Sequence, residues 1–152
     1  MKAFLLYVSF LLTVSVCSAA SQKPFFPAEE GQRSEYAVTL EFRQMHFTGI
    51  SIMKKADSVL VGSLLNEFGI RAFDFRYDPV RRRVKLENMT SFIDRWYIRK
   101  ILRRDLTILF SNDGSLSPFV VHRRRIQVPE PGVLVLTNMK YQVRYRFSQL
   151  ND

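Results

Sequence analysis

Residues 59–77, VLVGSLLNEFGIRAFDFRY, contain two apolar runs separated by Asn66-Glu67-Phe68-Gly69. Gly69 can adopt the positive φ that a tight turn between two strands requires. In the second run every other residue is aromatic, so one face of a strand would carry Phe73, Phe75 and Tyr77. The stretch therefore predicts a β-hairpin with one aromatic face, which neighbouring strands must help to bury.

The same alternation recurs on both sides of this hairpin and predicts the rest of a sheet. These further strands are expected at about residues 35–43, 46–54, 80–87, 106–110, 119–126, 133–137 and 140–148. Gly49 lies inside the second strand, where glycine typically marks a bulge or a close backbone approach.

One helix interrupts the predicted strands after the fifth. It is expected to start near Ser91, which with Asp94 resembles a capping box, and to run to about Arg104. Most of its circumference is apolar, so neighbouring elements should cover it. The predicted fold class is mainly β (α+β): a curved antiparallel sheet or open half-barrel of about eight or nine strands, with the inserted helix on its concave face.

The first twenty residues are typical of a signal peptide. An apolar run from Ala3 to Val16 follows a single lysine and is too short to cross a bilayer as a stable helix. Ser18 and Ala20 occupy the small-x-small positions of a signal-peptidase site, which predicts an exported protein that begins at Ser21. Residues 21–34 are expected to be a flexible leader, although Phe25 and Phe26 are unexpectedly apolar for a linker and could dock on the domain. Residues 35–152 are expected to be a single β-rich domain.

Cys17 is the only cysteine, so an intramolecular disulfide is excluded. A cysteine directly after a hydrophobic segment can be the lipidated residue of a bacterial lipoprotein, although Val16 stands where a small residue is usual. The alternative is that Cys17 is discarded with the signal peptide. The protein would be anchored to the outer membrane in the first case and periplasmic in the second.

Few residues in this chain are suited to catalysis. There are two histidines, His46 and His122, and the sequence contains no HExxH, CxxC, GxSxG or glycine-rich phosphate loop. A role in a turn, a cap or a solvent-facing position accounts for each of the acids Asp74, Asp78, Asp94 and Asp105. We therefore expect a non-enzymatic protein without a cofactor or a metal site.

The chain is strongly basic, with a formal net charge of +9 at pH 7. In an exported protein this charge favours an anionic membrane surface or an envelope protein partner over nucleic acid. The expected membrane-binding or partner-binding surface comprises Arg95, Arg99, Arg103, Arg123, Arg124 and Arg125, and the triplet Arg81-Arg82-Arg83 could contribute to it. Each cation near an anionic membrane contributes about 1 kcal/mol, so several on one face would matter. The alternative is a set of scattered, solvated charges.

Three short segments carry a resemblance to a known family. His46-Phe47-Thr48-Gly49-Ile50, Asn66-Glu67-Phe68-Gly69-Ile70 and Phe73-Asp74-Phe75, with a later Asp105-Leu106, resemble small envelope lipoproteins of Bacteroidetes-type bacteria. The layout of those proteins is similar to the LolA/LolB lipoprotein-carrier fold, an open half-barrel with helices lining its concave face. The resemblance covers about residues 44–110, and this chain has one strong predicted helix where the carriers have more.

These patterns lead to two functional hypotheses. In the first, the concave face binds a lipid, an acyl chain or an acylated protein in a cavity lined by Phe73, Phe75, Trp96, Tyr97, Tyr145 and Phe147. In the second, the core is filled and the protein is a structural or adaptor component that docks on an envelope protein partner.

Overall fold

A computed structural model describes residues 23–112 and 118–150. The predicted signal peptide, Cys17 and the predicted start at Ser21 lie outside these residues. The described chain forms nine strands and one helix: β1 (Arg33–Phe42), β2 (Met45–Ala56), β3 (Val59–Asn66), β4 (Arg71–Asp78), β5 (Arg83–Glu87), α1 (Trp96–Ser111), β6 (Phe119–Val121), β7 (Arg124–Glu130), β8 (Val133–Asn138) and β9 (Val143–Gln149). Within this part of the chain, no helix is long and apolar enough to cross a membrane.

The nine strands form one open, curved sheet in the order β5-β4-β3-β2-β1-β9-β8-β7-β6. Every neighbouring pair is antiparallel. The helix α1 packs on the inner face of the sheet, and apolar residues from both build a continuous core. The predicted fold class is therefore confirmed, including the position of the helix after the fifth strand.

The central hairpin forms as its sequence predicts. Strands β3 and β4 are joined by a turn in which Gly69 has a φ of +75°. The Asn66 side-chain Oδ1 accepts hydrogen bonds from the backbone N–H groups of Phe68 and Ile70, at 3.0 and 2.8 Å. The aromatic side chains of the second strand, Phe73, Phe75 and Tyr77, are buried. The turn thus satisfies its own backbone while the strand face contributes to the core.

Gly49 is a point of close backbone approach. A Cβ atom added there would overlap the carbonyl oxygen of Leu65 on the neighbouring strand. The register shift in this region lies between Leu64 and Leu65, where β3 pairs with β4. The predicted close approach at Gly49 is confirmed. The shift in strand register lies in β3 and not at Gly49 in β2.

The helix differs from its prediction at both ends. It starts at Trp96, its cap residue Arg95 makes no side-chain capping bond, and the Asp94 carboxylate instead accepts bonds from the Arg99 guanidinium. The predicted capping box at Ser91 is therefore wrong. Residues 106–110, predicted as a strand, are the second half of α1, with Leu106, Leu109 and Phe110 buried. A five-residue apolar run fits either structure, and here burial at helical spacing continues from the preceding turns.

The predicted strand at 119–126 is two short strands. His122 and Arg123 both have positive φ, at 46° and 61°, and form the turn between β6 and β7. The number of strands still agrees with the prediction, because this additional strand offsets the predicted strand at residues 106–110, which is helical. The predicted elements at 106–110 and 119–126 are both wrong.

Residues 23–32 pack on the domain. Phe25 is buried, and its carbonyl oxygen accepts hydrogen bonds from the Tyr36 hydroxyl at 2.7 Å and from Gln149 Nε2 at 3.0 Å. The Phe26 ring contacts that of Phe110 on α1, with 5.0 Å between centroids. From Lys23 onward the predicted leader is therefore packed on the domain, as the apolar character of Phe25 and Phe26 had suggested: Phe25 is part of the core and Phe26 packs against it.

Candidate functional site

The concave face of the sheet is occupied by α1. Four residues predicted to line a ligand cavity are buried there: Phe73, Phe75, Tyr145 and Phe147. The space left between them and the helix has a volume of about 20 Å³. Such a space holds about one water molecule, whereas small-molecule sites usually have volumes of about 300–1,000 Å³. The four side chains thus belong to a packed core in this structure.

Phe110 fills much of this concavity. Its ring stacks on that of Phe75 with 5.2 Å between centroids and lies 5.7 Å from that of Tyr77. Phe110 is absent from the predicted cavity residues because it falls in the predicted strand at residues 106–110. Continuing the helical spacing of buried residues through Leu106 would have identified it.

Trp96 and Tyr97, also predicted to line the cavity, lie on the surface. Their exposed fractions are 77% and 43%, and their rings meet edge to face with 6.0 Å between centroids. Trp96 shares its helix face with Lys100 and Arg103, which are exposed. The cavity prediction is wrong for these two residues, because the buried residues of α1 begin only at Ile101, after the first helical turn.

A buried ionic network ties α1 to three strands. Asp105 accepts hydrogen bonds from Arg124 Nε at 2.8 Å, from Asn138 Nδ2 at 2.9 and 3.0 Å, and from the Tyr145 hydroxyl at 2.8 Å. All four residues are buried. The prediction that Arg124 belongs to an exposed surface is therefore wrong. So is the prediction that Asp105 lies in a turn, a cap or a solvent-facing position. Burial, and then the charge of Asp105, raise the pKa of Tyr145 well above its ordinary value.

One end of the sheet carries exposed apolar side chains. Because successive strands from β1 to β5 are antiparallel neighbours, the β1–β2 turn, the β3–β4 turn and the end of β5 lie at the same end. We call the exposed residues of the last two segments and of the adjoining helix start the apolar rim: Phe68, Ile70, Phe92, Trp96 and Tyr97. Phe68, Phe92 and Trp96 are each more than three-quarters exposed, at 78%, 76% and 77%.

A shallow groove of about 360 Å³ lies within this end of the sheet. Its apolar lining includes Ile70 and Phe92, and its polar lining includes His46, Glu67 and Arg71. Arg95 adjoins Trp96 at the helix start and is exposed. This end of the sheet thus combines the aromatic side chains of the apolar rim with neighbouring side chains of positive and negative charge.

A second surface, which we call the basic groove, follows the edge strand β5 and has a volume of about 470 Å³. Six cationic side chains and a single carboxylate line it: Arg76, Arg81, Arg83, Lys85, Arg99, Arg103 and Asp78. It therefore collects positive charge from β4, the β4–β5 turn, β5 and α1.

The arginines predicted to form one basic surface are divided by the fold. Arg99 and Arg103 line the basic groove, and Arg95 lies beside the apolar rim. Arg123 and Arg125 are exposed around β7, far from β5 in the strand order. Arg81 and Arg83 of the other predicted triplet line the basic groove too, and the fold adds Arg76, which was not predicted, because strand pairing and helix docking bring these residues to the same edge.

Within the described residues there is no cluster of three histidine, cysteine, aspartate or glutamate side chains that could hold a metal ion. His46 is exposed and lies 3.8 Å from the Glu41 carboxylate.

Comparison with known proteins is negative: no protein-family model matches the chain, and neither does any curated protein. The resemblance to Bacteroidetes-type envelope lipoproteins thus stays a prediction.

Proposed function

We propose that this is a non-enzymatic binding protein of the bacterial cell envelope that docks on a protein partner through the apolar rim. The observation that carries the proposal is the contrast between its interior and this end of the sheet. The concavity is packed around Phe110, whereas Phe68, Phe92 and Trp96 are exposed on adjacent segments. Clustered exposed apolar residues of this size typically mark an interaction surface.

The chemistry of the rim favours a protein as the partner. Aromatic residues and arginine dominate the binding energy of protein interfaces. Arg71 lines the shallow groove together with Ile70 and Phe92, and the exposed Arg95 precedes Trp96 in the chain. Glu67 is exposed at the hairpin tip, where an anionic bilayer would repel its carboxylate. A protein surface with apolar pockets and acidic residues would complement this combination.

Export is part of the proposal and rests on the amino-terminal sequence. The mass of the protein recovered from its own envelope distinguishes the two fates of Cys17. An acylated cysteine at the amino terminus means an anchored lipoprotein, and a chain that begins at Ser21 means a periplasmic one. A chain that retains residues 1–20 would contradict export through signal-peptide cleavage.

The other functional hypothesis, an acyl chain bound in the concavity, requires α1 to move away from the sheet. Such a movement would separate Asp105 from Arg124, Asn138 and Tyr145. The cost of exposing this network, together with the small internal volume, makes the docking function the better supported of the two.

The test is co-purification of the full chain from its native envelope, followed by native mass spectrometry with lipid extraction. The rim variant carries Phe68→Asp and Trp96→Asp. The matched control is Val80→Asp, because Val80 is 91% exposed in the β4–β5 turn at the opposite end of the sheet.

We expect a stoichiometric protein partner with the wild type and with Val80→Asp, and its loss with the rim variant. The identified partner, purified separately, should bind the rim variant at least about tenfold more weakly, as expected when two interface anchors are removed. A bound phospholipid or acylated peptide without a protein partner would contradict docking and support the concavity hypothesis. Equal retention of the partner by the rim variant would exclude the rim as the interface.

A further inference from the structure

The basic groove concentrates cations that have few anionic partners. Lys85 bonds to Glu87 at 2.6 Å, Arg99 to Asp94 at 2.6 Å, and Arg81 lies 3.8 Å from Asp78. The remaining three cations of the groove, Arg76, Arg83 and Arg103, make no ion pair with any residue that the structure describes. All three are exposed. The groove therefore has spare positive charge that is accessible to a ligand.

The fold places like charges next to each other in this groove. Arg76 and Lys85 are directly opposite on the paired strands β4 and β5. Arg99 and Arg103 are one helical turn apart on α1. Like charges in either arrangement repel each other and destabilise the element that holds them. A bound anion would relieve both repulsions at once.

The backbone of the edge strand is already occupied on the groove side. The Val84 N–H donates to Thr107 Oγ1 at 3.1 Å, and the Leu86 carbonyl accepts from Arg99 Nη1 at 3.4 Å. Because α1 takes these two groups, an extended peptide cannot add to β5 as a further strand there. The groove offers side-chain donors only, which suits a compact anion better than a peptide.

We propose that the basic groove binds a phosphate-bearing ligand, with Arg76, Arg83 and Arg103 as the side chains that contact the phosphate. Guanidinium groups donate paired hydrogen bonds that match the geometry of phosphate oxygens. The volume of about 470 Å³ lies within the range of small-ligand sites. The phosphate could belong to a free phosphorylated molecule or to a phospholipid headgroup. This site is separate from the apolar rim, so the two proposals can fail independently.

The test measures binding of two probes to the full exported protein at fixed ionic strength. The first probe is inorganic pyrophosphate, followed by calorimetric titration. The second is vesicles of phosphatidylcholine and phosphatidylglycerol, followed by co-sedimentation. The groove variant carries Arg76→Gln, Arg83→Gln and Arg103→Gln. The control carries Arg123→Gln, Arg125→Gln and Arg144→Gln, three exposed arginines outside the groove, so both variants lose the same charge.

We expect the groove variant to bind at least about tenfold more weakly and the control to stay within about twofold of the wild type. Loss of pyrophosphate binding identifies a site for free phosphorylated molecules, and loss of vesicle binding alone identifies a headgroup site. Equal weakening in both variants, or no binding of either probe, overturns the proposal. Circular dichroism and urea unfolding check the fold of the groove variant. In the absence of ligand, this variant should be at least as stable as the wild type, because the substitutions remove repulsion between like charges.

Discussion

Asp105 lies in the third turn of α1 and holds the helix against β7, β8 and β9. Its carboxylate accepts bonds from Arg124, Asn138 and Tyr145. Since Asp105 and Arg124 are both buried, each compensates a charge that would be costly to leave unpaired in the interior. The network thus links one point of α1 to three strands, and we expect it to specify the position of the helix more strictly than apolar contacts alone.

Replacing Asp105 by Ala should lower the free energy of unfolding by about 3–5 kcal/mol, because it leaves the buried Arg124 charge without a partner. Equilibrium unfolding in urea measures the change. The control is Glu130→Ala, which breaks the exposed 2.7 Å pair with Arg146 and should cost less than about 1 kcal/mol. Similar losses in the two variants would contradict the structural role of the network.

Buried tyrosines predict a loss of stability at alkaline pH. Burial raises the pKa of Tyr36 to about 12, and the pKa of Tyr145 is raised in the same direction. An unfolded chain loses these protons near pH 10, whereas the folded chain keeps them. Above pH 10 the unfolded state binds fewer protons, so the free energy of unfolding falls as the pH rises towards 12. Each tyrosine contributes a slope of up to about 1.4 kcal/mol per pH unit.

Urea unfolding at pH 8, 10 and 11 checks this expectation. Tyr36→Phe removes one titrating hydroxyl, so its stability should fall less steeply above pH 10 than that of the wild type. Tyr97→Phe serves as the control, because Tyr97 is exposed in the first turn of α1. Parallel pH profiles for the wild type and Tyr36→Phe would show that the titration of Tyr36 does not contribute to the loss of stability.

At the scale of elements, two glycines stabilise the central strands for different reasons. Gly69 needs a φ of +75°, and a Cβ atom added to it would meet no other atom within 4 Å, so its requirement is purely conformational. Gly49 is restricted by contact, since a Cβ would overlap the Leu65 carbonyl oxygen. A backbone atom of a paired strand cannot move away without disturbing the pairing of β2 with β3.

We therefore expect Gly49→Ala to be the more destabilising of the two substitutions. Gly69→Ala should cost about 1–2 kcal/mol for a left-handed conformation with a Cβ, and Gly49→Ala more than about 2 kcal/mol through steric overlap. Gly31→Ala is the matched control for Gly69, since it has a φ of +82° and equally open surroundings. Thermal unfolding ranks the three variants, and a cost for Gly49→Ala no larger than that for Gly69→Ala would contradict the contact argument.

At the scale of the whole molecule, the segment at residues 23–32 joins distant parts of the fold. Phe25 is held by Tyr36 of β1 and Gln149 of β9, and Phe26 packs on Phe110 of α1. The segment therefore closes the core at the end of the sheet opposite to the apolar rim.

Replacing Phe25 by Ala should lower the free energy of unfolding by about 3–5 kcal/mol, as for other buried phenylalanines. Lys23→Ala, an exposed position in the same segment, should change it by less than about 0.5 kcal/mol. Urea unfolding followed by circular dichroism measures both. A small effect of Phe25→Ala would mean that the segment is only loosely attached.

The local pattern of residue types was sufficient to predict most of the sheet. Alternating side chains and the Asn66–Gly69 turn predicted the central hairpin, the open antiparallel sheet and the place of the helix, because these features depend on neighbours along the chain. Pattern failed for residues 106–110, where a short apolar run is compatible with a strand or a helix. It was ambiguous for Phe25 and Phe26, because two apolar side chains stood in a segment that otherwise had the composition of a linker.

The first five strands and the place of the helix after them, the aromatic face of the hairpin and the excess of positive charge follow from the amino-acid sequence alone. The strands and the aromatic face depend on residues close together in the chain, and the charge depends on composition. Tertiary structure decided which charges are buried and which are free. It paired Arg124 with Asp105 in the core and brought Arg76 and Arg83 beside Arg103 at the sheet edge. Those groupings depend on helix docking and strand pairing between distant segments, whose geometry a linear pattern of residue types does not encode.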